Sequence, residues 1–153
     1  MTTTHRPVQF PVGMEVAYGI DFAHVVDYRV KTATNVKNGR WVKMASPNSE
    51  IEVAGDEETS PVGVVIREKT LAKYRENDRT TDYTAGEKVA VCSGPGVIVN
   101  CVSSAAIGIG DIVVCASQGR VKKWATDAAN TMVGFGMSTA SAADEDVLIK
   151  LLR

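Results

Sequence analysis

Two short stretches of the chain combine residue types that could do chemistry. The first, Gly108-Ile-Gly-Asp111, spaces two glycines as phosphate-binding loops do. A dinucleotide-binding fingerprint also needs a third glycine three positions on and a helix whose N–H groups face the anion. Val113 stands at that position, and the run that follows is β-type. The two glycines therefore indicate a turn that enters a strand, not a phosphate site.

The second stretch carries Asp21, His24 and Asp27 at three-residue steps. On a helix these side chains would share one face and could hold a metal ion. In a strand, residues three apart point to opposite faces, so the three groups would not converge. The valines between them favour a strand or a loop. We therefore expect no metal and no cofactor.

Nucleophilic catalysis has few residues to use. The chain contains two histidines, and it lacks both a Gly-x-Ser-x-Gly elbow and a Ser-x-x-Lys pair. Its three cysteines, Cys92, Cys101 and Cys115, lie in apolar runs without metal-binding spacing, and we predict that they are buried and reduced. These observations predict a protein that is not an enzyme.

The bulk composition limits the partners. A length of 153 residues fits one domain with a real core. Seventeen basic and eighteen acidic residues, with 6% aromatics, argue against a nucleic-acid surface. No apolar run approaches the roughly 20 residues of a membrane span. The first residues lack the apolar centre of a signal peptide, so we expect a protein that stays in the cytosol, with no membrane partner.

Short β-type runs separated by Gly, Pro, Asn, Asp and Ser make up most of the chain. The predicted strands are 15–18, 28–31, 40–44, 50–53, 62–67, 88–92, 97–102, 111–115, 120–124, 133–137 and 146–152. Strands this short and evenly spaced predict a mainly β fold, a single compact barrel or sandwich of antiparallel strands.

Two segments depart from this pattern. Residues 1–13 carry Pro7 and Pro11, which predict an extended N-terminal arm before a barrel domain at 14–153. Residues 67–84 form a charged insert, in which Thr70 could cap one short helix at 71–77. The mixed charges of the insert suit either a solvated face or a polar contact with a partner protein.

The chain also repeats itself at an offset of 71 residues. Residues 39–63 align without a gap on residues 110–134, with eight identities in 25 positions, where composition alone gives roughly two. The repeated unit is a glycine turn, a strand, a hairpin, a second strand, and a further strand entered through Val-Gly. Two such units could wrap one core with pseudo-symmetry.

Both tryptophans stand among basic residues. Trp41 follows Arg40, and Trp124 follows Lys122 and Lys123. Two interpretations are open for each: a buried ring with its basic neighbours outside, or an exposed indole at a subunit contact.

The second half of the chain resembles the small β-barrel decoration, or cement, proteins of tailed-phage capsids. The resemblance covers residues 84–153 well and 36–65 more loosely. The elements that carry it are 86–91, 97–102, 108–114, 118–121, 125–130, 133–136, 144–146 and 147–152. The charged insert and the long proline-bearing arm depart from the family pattern.

This resemblance implies a structural protein on the outside of a virion. It would bind the major capsid protein of an assembled shell as a homotrimer and clamp neighbouring capsomers. The residues that we expect at capsid or subunit interfaces are Thr3, Arg6, Pro7, Phe10, Trp41, Lys69, Lys73, Arg75, Arg79 and Trp124. The alternatives are a trimeric nucleotide hydrolase of the dUTPase kind, which Tyr18–Ala23 ("YGIDFA") faintly resembles, and a small tail or glycan-binding module.

Overall fold

The residues that the structure describes form ten short strands in two sheets. The computed structural model describes residues 24–32, 34–46, 49–66, 82–125 and 132–152. The strands are β1 (His24–Val30), β2 (Trp41–Ser46), β3 (Glu50–Val53), β4 (Pro61–Ile66), β5 (Lys88–Ser93), β6 (Ile98–Val102), β7 (Ile112–Cys115), β8 (Val121–Lys123), β9 (Gly134–Gly136) and β10 (Asp146–Leu151). A single 3-10 turn, Ser117–Gly119, is the only helical element among the described residues. The mainly β prediction is confirmed.

The first sheet closes into a barrel in the order β1-β3-β2-β4-β5. Strand β1 completes it, since β1 pairs antiparallel with β5 along its length and parallel with β3 at its end. The second sheet has the order β6-β10-β9-β7-β8. An isolated parallel bridge between Ser103 and Val121 joins the ends of its two outer strands.

The repeat seen in the sequence is present in the backbone. The same ladder pairs recur 71 residues apart: Trp41–Val64 and Val42–Gly63 between β2 and β4, and Ile112–Phe135 and Val113–Gly134 between β7 and β9. Gly39 and Gly110 open the two units, both with positive φ, at 77° and 82°. This conformation favours glycine because it has no Cβ. The glycines are therefore corners of equivalent turns.

The structural repeat is larger than the aligned residues. Strand β5 lies beside β4 as β10 lies beside β9, and β1 lies beside β5 as β6 lies beside β10. Read around the barrel from β1, the first sheet has the order β1-β5-β4-β2-β3, which matches the order β6-β10-β9-β7-β8 of the second sheet. In each unit, parallel pairing joins the first and last strands of this order. The described strands therefore form two five-stranded units: the first barrel, β1–β5, and the second unit, β6–β10.

Two hydrophobic cores follow from this arrangement. One fills the first barrel and includes Val42, Ile51, Val65 and Val91. The other combines the second unit with residues on the outer side of the first barrel. Strand β5 serves both cores, because Val91 belongs to the first and Cys92 to the second. A strand buried on both faces has the continuous apolar sequence that "VAVC" shows.

Candidate functional site

Trp41 joins the two units. Its side chain is 1% exposed and belongs to the core that also contains Val113, Cys115 and Ile149 of the second unit. The indole lies near the thiol of Cys101, and burial raises the pKa of that thiol. An indole so deeply enclosed offers no surface to a neighbouring subunit. The structure therefore corrects the assignment of Trp41 as an interface residue and supports the buried interpretation.

Trp124 has a different environment. It is partly exposed and follows β8, where its backbone N–H donates to the carbonyl of Ile112 at 2.7 Å. This bond continues the antiparallel register of β7 and β8, which places the two side chains on the same face. Trp124 thus remains a candidate for a contact with another molecule.

Polar contacts fix the two units against each other. The backbone N–H of Gly119 donates to the carbonyl of Ala54 at 3.0 Å, and Arg40 Nη1 donates to the carbonyl of Gln118 at 3.2 Å. Lys122 Nζ lies 2.9 Å from Asp56 and 3.2 Å from Glu57, and these hydrogen bonds, the Asp56 bond above all, raise the pKa of Lys122. Together with the shared core, these contacts hold the two units in one arrangement.

The carboxylate of Asp111 is bonded within the turn at Gly108. Asp111 Oδ2 accepts the backbone N–H of Gly108 at 2.7 Å, and Lys123 Nζ lies 3.2 Å from the other carboxylate oxygen. The N–H group that a phosphate would need is therefore already bonded to a carboxylate of the same turn. The geometry agrees with the interpretation of the two glycines as part of a turn.

Asp111 predicts a measurable pH dependence of stability. The Gly108 N–H and then Lys123 hold the pKa of Asp111 below its ordinary value of 3.8. Since this pKa is lower in the folded state than in the unfolded state, ionised Asp111 stabilises the fold above about pH 4, and its contribution is lost as the pH falls through the folded-state pKa. We expect Asp111→Asn to reduce the loss of stability on acidification, measured by urea unfolding between pH 2 and pH 6. Asp27→Asn, on the exposed part of β1, is the control, and equal acid sensitivity of Asp111→Asn and the natural protein would contradict the assignment.

The possible metal-binding stretch lies partly outside the described residues. Asp21 falls there, while His24 and Asp27 lie on β1, opposite Ser93 and Ala90 of β5. Positions three apart on a strand face opposite sides, so these two side chains diverge. The described residues contain no group of three or more His, Cys, Asp or Glu side chains that could hold a metal ion.

The beginning of β1 is exposed on both of its faces. Val25 and Val26 are 49% and 47% exposed, and their neighbours His24 and Asp27 are also exposed. Within the described part of the chain, β3 pairs only with Arg29 and Val30 of this strand. Sequence reasoning did not select these valines, although adjacent residues of a strand point to opposite faces, so a core on one side of the strand cannot bury both of them.

The remaining predicted interface residues lie outside the described residues: Thr3, Arg6, Pro7 and Phe10 of the arm, and Lys69, Lys73, Arg75 and Arg79 of the insert. The predicted strand at 15–18 and the predicted helix at 71–77 also fall there. No helix among the described residues is long and apolar enough to cross a membrane.

The described geometry defines a class of protein: a mainly β protein built of two repeated five-stranded units. Comparison with known proteins gives the family. The chain matches the phage cement proteins over residues 20–151 and belongs to that family of structural, capsid-associated proteins. No curated protein shows a significant sequence match to the chain.

A solved structure shares the fold. The chain is similar to the head fiber gp8.5 N base of bacteriophage phi29, with a TM-score of 0.59 and 16% sequence identity. The match covers 84% of this chain and 93% of the phi29 chain. The likeness therefore extends over both β units.

Proposed function

We propose that this protein binds the outside of an assembled phage capsid as a homotrimer and stabilises the shell by clamping neighbouring capsomers. Its partners are the major capsid protein and other copies of itself. The observation that carries the proposal is the match to the phage cement family over residues 20–151. Family membership favours this structural role over the nucleotide hydrolase and the glycan-binding module.

The architecture suits a clamp. A clamp must transmit force between the subunits that it joins, so its body has to resist deformation. The shared core around Trp41 and the Lys122 ion pairs with Asp56 and Glu57 fix the two units in one arrangement. Close-packed interiors of this kind are stiff and transmit strain.

The beginning of β1 is the described surface that we propose for the shell contact. Val25 and Val26 expose apolar surface, and the strand follows the segment that begins with the predicted arm. An extended segment of a capsid protein can add to such a strand by backbone hydrogen bonds, with the valines on either side supplying apolar contacts. Contacts by the arm and by the charged insert would add to this one, and three copies would multiply them.

Deletion of residues 1–12 tests the arm. We expect the shortened protein to keep its far-UV circular dichroism and its melting temperature, because the described β units begin at His24. Its affinity for purified capsids that lack the protein should fall at least about tenfold in co-sedimentation, a loss of about 1.4 kcal/mol. The full-length chain is the control. Undiminished binding by the folded, shortened protein would exclude the arm as a capsid contact.

A further inference from the structure

The two units present the same sheet face to different surroundings. In the first barrel, Trp41, Val64 and Cys92 form a row across β2, β4 and β5, since Trp41 pairs with Val64 and Val64 with Cys92. All three side chains are at most 1% exposed, because the second unit packs over them. Ile66, two residues after Val64 on the same face, packs against that core as well.

The equivalent row in the second unit has no such cover among the described residues. Ile112 pairs with Phe135, and Phe135 pairs with Lys150, so these residues occupy the places of Trp41, Val64 and Cys92. Ile112 and Phe135 are partly exposed and Lys150 is exposed. Met137, in the place of Ile66, is 43% exposed.

Apolar side chains extend this row on both sides. Trp124 lies beside Ile112 through the continued β7–β8 register. Ile109, 72% exposed, belongs to the turn whose Gly110 N–H donates to the carbonyl of Gly136, next to Met137. We call the surface formed by Ile109, Ile112, Trp124, Phe135 and Met137 the β7–β9 face. An apolar patch bordered by a charged group, here the exposed Lys150, is typical of a protein contact.

We propose that the β7–β9 face is the surface through which copies of this chain contact each other. The argument is the internal repeat: the equivalent face of the first barrel is covered by a β unit of this same chain, so a β unit of this chain is the kind of partner that the face fits. A second copy supplies such a unit. This inference rests on the proposed function only for the number of copies, which is three. When a face meets a different surface of the next copy, the copies form a closed ring if the rotation between them permits.

The location of the face agrees with this assignment. The proposed shell contacts, the arm and the beginning of β1, belong to the first barrel or precede it, whereas the β7–β9 face belongs to the second unit. Self-association and shell binding therefore use different residues and can occur together.

Substitution of Met137 tests the inference with a closely matched control. Met137→Glu places a charge at the β7–β9 face, whereas Met44→Glu makes the same change on β2 of the first barrel, where the methionine is 42% exposed. We expect the natural protein and Met44→Glu to sediment as oligomers of one size and Met137→Glu to weaken self-association about 100-fold. Analytical ultracentrifugation over a range of concentrations measures this, and Phe135→Glu provides a second variant at the centre of the face.

A labelling experiment gives a readout that does not depend on weakened association. Met137→Cys introduces an exposed thiol into a chain whose own three cysteines are buried. A spin label at this position should give a measurable distance to the label on a neighbouring copy at low micromolar protein concentration. A label at Met44→Cys, measured in the same way, is the control, because Met44 does not belong to the β7–β9 face.

The outcomes separate this inference from the proposed function. A natural protein that stays monomeric at all concentrations, or Met137→Glu and Phe135→Glu variants that keep the natural mass, would overturn the inference. Variants that keep the oligomer but lose capsid co-sedimentation would assign the face to the shell and also overturn it. If the natural protein fails to bind capsids while Met137→Glu still dissociates the oligomer, the proposed function fails and the inference stands.

Discussion

Replacement of Trp41 with alanine should lower the free energy of unfolding by about 3–5 kcal/mol, the usual cost of removing a large aromatic side chain from a core. Trp41 is 1% exposed and lies where the outer side of the first barrel meets the second unit. The change removes packing between the units as well as within one of them. For a chain of this length we expect the melting temperature to fall by about 10 °C.

Urea unfolding of Trp41→Ala and Trp124→Ala measures this effect against a matched control. Trp124 is partly exposed, so the same Trp→Ala change should cost less than half as much. Thiol labelling supplies a second readout, since Cys92, Cys101 and Cys115 are all buried around the same core. We expect the three thiols to react with Ellman's reagent faster in Trp41→Ala than in the natural protein. Equal destabilisation by the two substitutions would show that Trp41 does not join the units.

The strands were predictable from the sequence because their alternation and their turn residues are local signals. Each observed strand overlaps a predicted run, and β3 has the predicted bounds, Glu50–Val53. Strand β1 is the main difference, because it begins at His24 and not at residue 28. Its extra residues pair with β5, a partner distant in sequence, so nothing in the local pattern marks where β1 begins.

The tryptophans show what a local pattern cannot decide. Both stand beside basic residues in short β runs, and sequence reasoning left a buried ring and an exposed indole open for each. The repeat alignment places Trp41 on Ile112 and Trp124 on Val53, so the two indoles are not equivalent. Their burial depends on which unit covers which face, and that is a property of the whole assembly of strands.

The same limit applies to the number of cores. The 71-residue repeat predicts two related units but not whether they share one barrel. The structure shows one closed barrel and a second sheet. Strands from outside the aligned residues complete each of these two units. The sequence does not predict the β7–β9 face, because the face is defined by a difference in burial between equivalent sheet faces of the two units.

The repeat also predicts that two glycines 71 residues apart cannot be replaced. A Cβ at Gly63 would overlap the carbonyl oxygen of Cys92 on β5, and a Cβ at Gly134 would overlap that of Lys150 on β10. In each unit the neighbouring strand passes directly over the glycine, so a methyl group must push two paired strands apart. We expect Gly63→Ala and Gly134→Ala each to destabilise the fold by about 3 kcal/mol, as overpacking does.

Gly55→Ala is the matched control for these two substitutions, because a Cβ at Gly55 would lie 3.8 Å from its nearest neighbour, the carboxylate of Glu58. It should change the free energy of unfolding by no more than about 0.5 kcal/mol. Urea unfolding of the three variants decides the point. A large effect at Gly134 with none at Gly63 would mean that the two units are alike in strand order but not in packing, and the inference of a self-contact from their equivalence would lose its basis. Equal effects would support equivalence at the level of individual atoms, because the two neighbouring strands, β5 and β10, come from parts of the chain that the 25 aligned positions do not include.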